Sequence, residues 1–224
     1  MQTTRVPHYG SLDTYKTLSS GGDGLERFKV LYDFGQYVLN GVQGDILEIG
    51  VGESSYYLSR LAEAFRRRVF HCDISPSKII NPMSVNGYLS DEKEITYFEE
   101  RDPTPSMNRV VCFAGSSDQF FQRIQMPTIA YAFIDGDHNY AQAKRDFENT
   151  WKLLAENGVI ALHDTAPPDA SWIDENKCGD VYLLRKELQL ELARSDVFTF
   201  TRGCAIGVGV TFVRRKVSNP KNFE

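Results

Sequence analysis

The chain alternates between short apolar runs and longer segments whose apolar residues recur at helical spacing. Each apolar run is bounded by polar or turn-forming residues, which predicts buried strands over 45–52, 69–76, 109–117, 128–137 and 159–164. The segments between and after them predict helices over 25–41, 54–68, 118–125, 141–158 and 181–194. Glycine follows or ends several of these helical segments, as at Gly41 and Gly158.

The order of these elements indicates one α/β domain. Unbroken apolar strands that alternate with helices are typical of a mostly parallel sheet covered on both faces. The segment 196–215 predicts a closing hairpin that turns near "TRGC". We therefore predict a Rossmann-like, doubly wound, mostly parallel sheet of seven strands with a C-terminal antiparallel hairpin.

The domain is expected to cover residues 24–215, between a flexible N-terminal segment (1–23) and a short tail (216–224). Two stretches, 77–108 and 165–180, are longer than a minimal fold needs. Long loops at the ligand end of a sheet are often functional, so we expect them to select the substrate. Trp172 could cover an acceptor there, and the alternative is a mobile surface loop.

Composition and charge narrow the partners. The 224 residues carry a net charge of −5 and no long Lys/Arg run, which argues against nucleic acid. The chain shows neither a signal peptide nor a run of 18 apolar residues, so no membrane partner is expected. Its four cysteines are widely spaced without a CxxC pair, which favours reduced thiols and a cytoplasmic location.

The stretch "LEIGVGESS" places Gly50 and Gly52 between the first strand and its helix. Such a turn lets backbone N–H groups and the helix N-terminus approach a ligand closely. A dinucleotide turn would have Gly or Ala where this chain has Ser55, and Glu48 would repel a pyrophosphate, so an NAD-linked oxidoreductase is disfavoured. Glu48 instead suits a cationic group such as an ammonium. The alternative is that the glycines only make a tight turn.

Asp73 ends the second strand, where an acid can accept hydrogen bonds from both ribose hydroxyls of an adenosine. The pattern E-x-G-x-G followed by this acid resembles the motifs of class I S-adenosylmethionine-dependent methyltransferases, over roughly residues 25–213. The resemblance implies S-adenosyl-L-methionine as cofactor. The residues that it implies for cofactor binding in this part of the chain are Glu48, Gly50, Gly52, Ser54 and Asp73.

After the third strand, "AGSSDQF" resembles the segment that lines the adenine in metal-dependent small-molecule O-methyltransferases. The resemblance implies that Ser116 and Ser117 bond the edge of the adenine ring. The alternative is an ordinary helix N-cap.

Residues 133–164, "FIDGDHNYAQAKRDFENTWKLLAENGVIALHD", closely resemble the family-24-type methyltransferases. Similar proteins include sugar O-methyltransferases of the macrocin and mycinamicin type and relatives of cephalosporin hydroxylase. The resemblance implies that Asp135 serves catalysis, cofactor and metal, that His138 is the general base, and that His163 and Asp164 complete the metal site. All four residues stand at or just beyond the tips of two strands.

This assignment agrees with the chemistry. A hydroxyl is a poor nucleophile, and a hard cation lowers its pKa while a histidine takes the proton. Mg²⁺ prefers oxygen ligands, however, and an Asp/His/Asp set suits Mn²⁺, Fe²⁺ or Zn²⁺ at least as well. The alternative for His163 is that it only orients Asp164 or packs beneath the covering loop.

The predicted function is S-adenosylmethionine-dependent, divalent-metal-assisted O-methylation of a small-molecule hydroxyl on a sugar, polyketide or phenolic natural product. The alternatives are a hydroxylase-like relative of cephalosporin hydroxylase and a cofactor-binding protein without catalysis; Asp135, His138 and Asp164 argue against the latter. A homo-oligomer is expected only by analogy with relatives.

Overall fold

The computed structural model describes residues 28–79, 95–174, 176–191, 195–201 and 208–217. The proposed N-terminal segment 1–23 lies outside this range, as does most of the tail. Eight strands run through the described part of the chain. They are β1 (Asp45–Ile49), β2 (Val69–Asp73), β3 (Ile95–Glu99), β4 (Val110–Ala114), β5 (Ile129–Ile134), β6 (Leu154–Leu162), β7 (Ser195–Phe200) and β8 (Val210–Arg215).

These strands form one sheet in the order β3-β4-β2-β1-β5-β6-β8-β7. The pairs from β3 through β6 are parallel, and β8 is antiparallel to both β6 and β7. The α/β class and the antiparallel C-terminal pair are therefore confirmed, while most of the expected turn near "TRGC" lies outside the described residues. The chain runs from β1 to β2 on one side and later from β4 to β5 on the other side of β1. This reversal of the strand order opens a crevice at the carboxyl ends of the strands.

The predicted number of seven strands is wrong by one, because β3 lies inside the stretch 77–108, for which the sequence predicts a loop. β3 pairs with β4 at the edge of the sheet. Its side chains alternate: Thr96 and Phe98 are buried, whereas Tyr97 is exposed. An edge strand with one solvent-exposed face lacks the continuous apolar run that predicts the other parallel strands.

The helices cover both faces of the sheet. Their bounds are α1 (Lys29–Gly41), α2 (Ser54–Phe65), α3 (Ser117–Arg123), α4 (Tyr140–Leu153) and α5 (Val181–Leu190). Successive strand residues enter opposite cores: Ile46 packs with the face covered by α1 and α2, and Leu47 with the face covered by α3, α4 and α5. Among the described residues, none of the helices combines the length and apolar character that a bilayer span requires.

The predicted helix 141–158 ends earlier than expected, and its glycine stop was wrong. The chain passes from α4 directly into β6 at Leu154, so Gly158 lies within the strand. Leu154 pairs with Ile129 and Val159 with Tyr131, so 155–158 form an irregularity that contains Asn157 at φ 61°. Sheet pairing thus overrides the helical propensity of "LLAEN".

Candidate active site

A cleft of about 320 Å³ opens at the carboxyl ends of β1, β2 and β4, beside the loop that follows β5. Four of the residues predicted to bind a cofactor line it, namely Gly50, Asp73, Ser116 and Ser117. Residues that the sequence analysis missed also line it, among them Ile74, Gln142 and Asp146. The cleft lies where the topology predicts a ligand site.

Gly50 occupies a position that no other residue could fill without rearrangement. Its φ is 86°, and an added Cβ would lie 1.9 Å from the carbonyl oxygen of Asp135. Its N–H also donates to the carbonyl of Cys72 at 2.9 Å. Close packing of three strand ends thus requires glycine here. Gly52 differs, since an added Cβ would meet nothing within 4 Å.

Glu48 lies beneath the glycine turn, fully buried. Its carboxylate accepts hydrogen bonds from Ser54 Oγ at 2.5 Å and from Ser55 Oγ at 2.6 Å, and it contacts His71 Nδ1 at 2.5 Å. The other imidazole nitrogen of His71 is 3.3 Å from Ser59 Oγ. Glu48 and Ser54 therefore support the turn from below rather than forming the cleft surface. Ser55, which argued against a dinucleotide site, is one of the partners of Glu48.

Asp73 is held at the end of β2 with its carboxylate at the cleft. Oδ2 accepts the N–H of Val51 at 2.9 Å and Oδ1 accepts the N–H of Ser75 at 2.8 Å. The next residue, Ile74, is 77% exposed and presents an apolar surface beside this carboxylate. An isoleucine directly after an acid at a strand end was the available signal for it.

The two serines after β4 already have protein partners. Ser116 caps α3, because its Oγ accepts the N–H of Gln119, and its own N–H donates to Glu100 at 2.8 Å. Ser117 Oγ accepts from Gln142 Nε2 at 3.0 Å. The helix-cap alternative thus describes Ser116, although both serines border the cleft.

The acidic and imidazole side chains at the tips of β5 and β6 converge. His138 Nε2 lies 3.0 Å from Asp164 Oδ2 and 3.8 Å from Asp135 Oδ1. His163 Nδ1 lies 3.0 Å from Asp135 Oδ1 and 3.3 Å from Asp164 Oδ2. Asp164 adopts a left-handed conformation at φ 55°, which is uncommon outside glycine and occurs at functional sites. We refer to these four residues as the Asp–His cluster.

Charges within the cluster shift its pKa values. Burial opposes ionisation of Asp135, but the nearby imidazoles of His163 and His138 outweigh it and lower the pKa of Asp135 to about 2. Burial likewise opposes protonation of His163, but Asp135 and Asp164 raise the pKa of His163 to about 10. The Asp135 carboxylate, and then Asp164, raise the pKa of His138. The two carboxylates therefore stabilise positive charge at this position of the fold.

The cluster contains a set of donors that fits a divalent cation. The ligand atoms of Asp135, His138 and Asp164 all lie within 4.8 Å of one another. The family resemblance implies Asp135, His163 and Asp164 for a metal site, whereas this set contains His138. His163 turns Nδ1 towards both carboxylates, and its buried Nε2 has no hydrogen-bond partner among the described residues. Two carboxylates and an imidazole suit Mn²⁺, Fe²⁺ or Zn²⁺ at least as well as Mg²⁺.

The segment 165–180 is anchored near its start, where Ala166 N–H donates to the carbonyl of Val208 at 2.7 Å. Within the segment, Cys178 N–H donates to the carbonyl of Trp172 at 3.1 Å. Trp172 lies in a 3₁₀ helix (Ala170–Trp172) and packs half-buried against the α1/α2 core. The described part is thus packed at Trp172 and Cys178, whereas 168–171, 173, 174, 176 and 177 are exposed.

The end of this segment holds the loop that carries His138. Asp180 N–H donates to the carbonyl of His138 at 3.1 Å, and the Asp180 carboxylate accepts the N–H of Tyr140 at the start of α4. Gly179 has φ 55°, and an added Cβ would lie 2.0 Å from the His138 carbonyl oxygen. The segment 165–180 therefore holds the backbone of His138 in place.

A family model for a methyltransferase domain, of the type numbered 24, matches residues 47–165. This span covers just over half of the chain and includes the glycine turn and the Asp–His cluster. The protein therefore belongs to this family of methyltransferase domains. The resemblance to class I, family-24-type methyltransferases is thus confirmed.

Solved methyltransferases share the fold. An O-methyltransferase from Bacillus cereus, in complex with SAH, is 19% identical with a TM-score of 0.62, over 92% of this chain and 87% of that chain. TomG, an O-methyltransferase from Streptomyces achromogenes involved in tomaymycin synthesis and in complex with SAM, is 17% identical with a TM-score of 0.58, over 89% of this chain and 82% of that chain. No curated protein matches this chain significantly in sequence.

Proposed function

We propose that this protein transfers the methyl group of S-adenosylmethionine to a hydroxyl of a small molecule, with assistance from a divalent metal. The proposal rests on the position of the loop 135–138, which borders both the cleft and the Asp–His cluster. Its residues Gly136 and Asp137 line the cleft, while Asp135 and His138 belong to the Asp–His cluster. One short loop thus joins the cleft to the Asp–His cluster, and this arrangement supports methyl transfer between them.

On the donor side, the cleft matches the chemistry of an adenosine. Asp73 faces the cleft with both oxygens oriented by backbone N–H groups, and each oxygen retains acceptor capacity for a ribose hydroxyl. Ile74 offers an apolar surface to the adenine, and Gly50 lets the main chain approach the ligand. When bound, S-adenosylmethionine supplies an activated methyl group on a sulfonium. The SAH and SAM in the similar structures support this choice of donor.

On the acceptor side, we assign His138 as the group that takes the hydroxyl proton. Asp164 and Asp135 stabilise the imidazolium that results, because both carboxylates lie within 4 Å of its Nε2. The carboxylates of Asp135 and Asp164 would hold the cation, which would lower the pKa of the acceptor hydroxyl. The Nε2 atom of His138, which lies beside both carboxylates, would then take the proton instead of binding the cation.

The acceptor class is the finer part of the proposal. We favour a sugar, polyketide or phenolic hydroxyl, and TomG, which is involved in tomaymycin synthesis, supports a small natural product. The fold alone does not select this class, since an rRNA methylase from Streptococcus thermophilus is also similar (11% identity, TM-score 0.54, over 85% of this chain and 97% of that chain). The net charge of −5 counts against an RNA acceptor.

Calorimetry and an acceptor screen test the proposal. We expect S-adenosylmethionine and its demethylated product to bind, whereas NAD should not. Release of demethylated product should require one of the sugar, polyketide or phenolic acceptors, should fall with EDTA and should recover with Mn²⁺ or Mg²⁺. Binding of NAD alone would remove the donor assignment. Turnover that is indifferent to EDTA would remove the metal, and turnover with RNA alone would remove the acceptor class.

A further inference from the structure

Two polar side chains of α4 lie at the inner wall of the cleft. Gln142 and Asp146 are one helical turn apart, and Gln142 Nε2 donates to both Ser117 Oγ and Asp146 Oδ1, each at 3.0 Å. Asp146 is only 1% exposed, yet it borders the cleft. Its Oδ2 lies 3.9 Å from the position that a Cβ would take on Gly136. This carboxylate therefore lies beside the main chain of the loop that lines the cleft.

Burial of the Asp146 carboxyl costs folding free energy, which a purely structural role would not require. None of the described Lys, Arg or His side chains forms an ion pair with it, and the neighbouring Arg145 faces Asp118 at 3.8 Å instead. Burial raises the pKa of Asp146 to about 6, although hydrogen bonds from Ser117 and Gln142 oppose this. An apolar residue would suit the surrounding core, since Ala143 and Phe147 share that helix face. A buried carboxyl that is retained at a cleft wall is a candidate for ligand recognition.

The serine hydroxyls on this side of the cleft already have protein partners. Ser116 Oγ caps α3, and Ser117 Oγ already accepts from Gln142. The backbone N–H of Ser116 is used by Glu100. Behind the serines, the cleft offers the carboxyl of Asp146, oriented by the amide of Gln142.

We propose that Asp146 accepts a hydrogen bond from the exocyclic amino group of the adenine, and that Gln142 positions the carboxylate for this contact. The inference rests on the proposed function, because it takes an adenosine-bearing donor in this cleft. It makes Asp146 a specificity residue: an amino group donates to a carboxylate, whereas a carbonyl oxygen at the same ring position would face its lone pairs. Sites built around a ligand donor reject analogues that lack it.

The test compares S-adenosylhomocysteine with S-inosylhomocysteine, in which a carbonyl oxygen replaces the adenine amino group. We expect calorimetry on the wild-type protein to give at least about tenfold tighter binding of the adenosyl compound. In Asp146→Asn the amide can donate to the carbonyl, so this ratio should shrink towards one or reverse. Glu148→Gln, an exposed change on the same helix, is the matched control and should retain the wild-type ratio.

An unchanged ratio in Asp146→Asn would overturn the inference while leaving the donor assignment intact. Equal weakening of both compounds would do the same, since it would indicate a structural role. Thermal unfolding of Asp146→Asn establishes that the variant is folded, and Gln142→Leu gives a second measurement that should reduce the ratio partially. Failure of the wild-type protein to bind S-adenosylhomocysteine would overturn the proposed function and this inference with it.

Discussion

The Nε2 atom of His138 lies 3.0 Å from Oδ2 of Asp164, although the two residues follow different strands and are 26 positions apart. His138 belongs to the loop after β5 and Asp164 to the tip of β6. The parallel pairing of β5 and β6 brings the two loops together. The Asp–His cluster is therefore a product of the sheet.

Removing this contact should abolish methyl transfer and spare donor binding. We expect His138→Gln or Asp164→Asn to lower kcat by about 10²- to 10⁴-fold, because the proton acceptor or its stabilising charge is lost. Asparagine tolerates the left-handed conformation of residue 164, so the backbone should be retained. Calorimetry with S-adenosylhomocysteine should give an affinity within about twofold of wild type. The control is Glu148→Gln on the exposed face of α4, which should retain turnover. Wild-type turnover in Asp164→Asn would contradict the assigned role.

Gly50→Ala should destabilise the fold and prevent donor binding. The added methyl would lie 1.9 Å from the Asp135 carbonyl, at a φ of 86° that disfavours any side chain. We expect a loss of about 2 kcal/mol or more in the free energy of unfolding, measured by urea denaturation. Gly41→Ala is the control, since nothing lies within 4 Å of its Cβ and it ends α1. Equal stability of the two variants would refute the close-packing argument.

Gly179→Ala should disturb the Asp–His cluster from outside it. The methyl group added at residue 179 would lie 2.0 Å from the carbonyl oxygen of His138, so either the loop that carries His138 or the segment 165–180 must shift. We expect kcat to fall at least about tenfold, since misplacement by about 1 Å is costly, with little change in the affinity for S-adenosylhomocysteine. Ser171→Ala, in the same segment, provides the comparison. A variant that lost affinity for S-adenosylhomocysteine and kept kcat would show that the segment supports the donor cleft rather than the Asp–His cluster.

Asp146 should make stability depend on pH. Its pKa rises from 3.8 to about 6 on folding, so the native protein binds this proton more tightly than the unfolded chain. Its contribution to the free energy of unfolding therefore falls as pH rises from about 4 to about 6 and is constant above that. At about 1.4 kcal/mol per pKa unit, Asp146→Asn should gain roughly 2 kcal/mol relative to wild type between pH 4 and pH 7, because part of the difference is already present at pH 4.

Urea unfolding at several pH values measures this difference. The control is Asn149→Ala on the same helix, which changes no titratable group and should run parallel to wild type across the range. The prediction would be wrong if the difference in the free energy of unfolding between Asp146→Asn and wild type did not change with pH. In that case folding would not raise the pKa of Asp146.

Local pattern was sufficient for most of the sheet. The central strands are buried on both faces, so each is a continuous apolar run that periodicity detects. β3 alternates, and the irregularity at 155–158 depends on pairing with β5, so neither leaves a clear local signal. Element ends were missed where a partner strand, rather than the residue itself, sets the boundary.

The candidate site divides in the same way. The glycine turn and the residues at the tips of β5 and β6 were identifiable, because polar groups that end apolar strands have few structural uses. The partners of those residues were not identifiable. Glu48 turned inward to Ser54, Ser55 and His71, which come from other elements. The sequence also could not show how the two imidazoles lie relative to the carboxylates: the donor atoms of Asp135, His138 and Asp164 lie within 4.8 Å of one another, while the His163 ring packs against Phe28.

The amino-acid sequence by itself determined the layered α/β fold, the glycine corner and the placing of Asp135, His163 and Asp164 at strand tips, because hydrophobic burial and turn chemistry act over a few neighbouring residues. Only the tertiary structure decided which carboxylates and imidazoles touch, and that Gln142 and Asp146 reach the cleft. Those contacts join residues from different elements, and their distances follow from strand order and helix packing rather than from spacing along the chain.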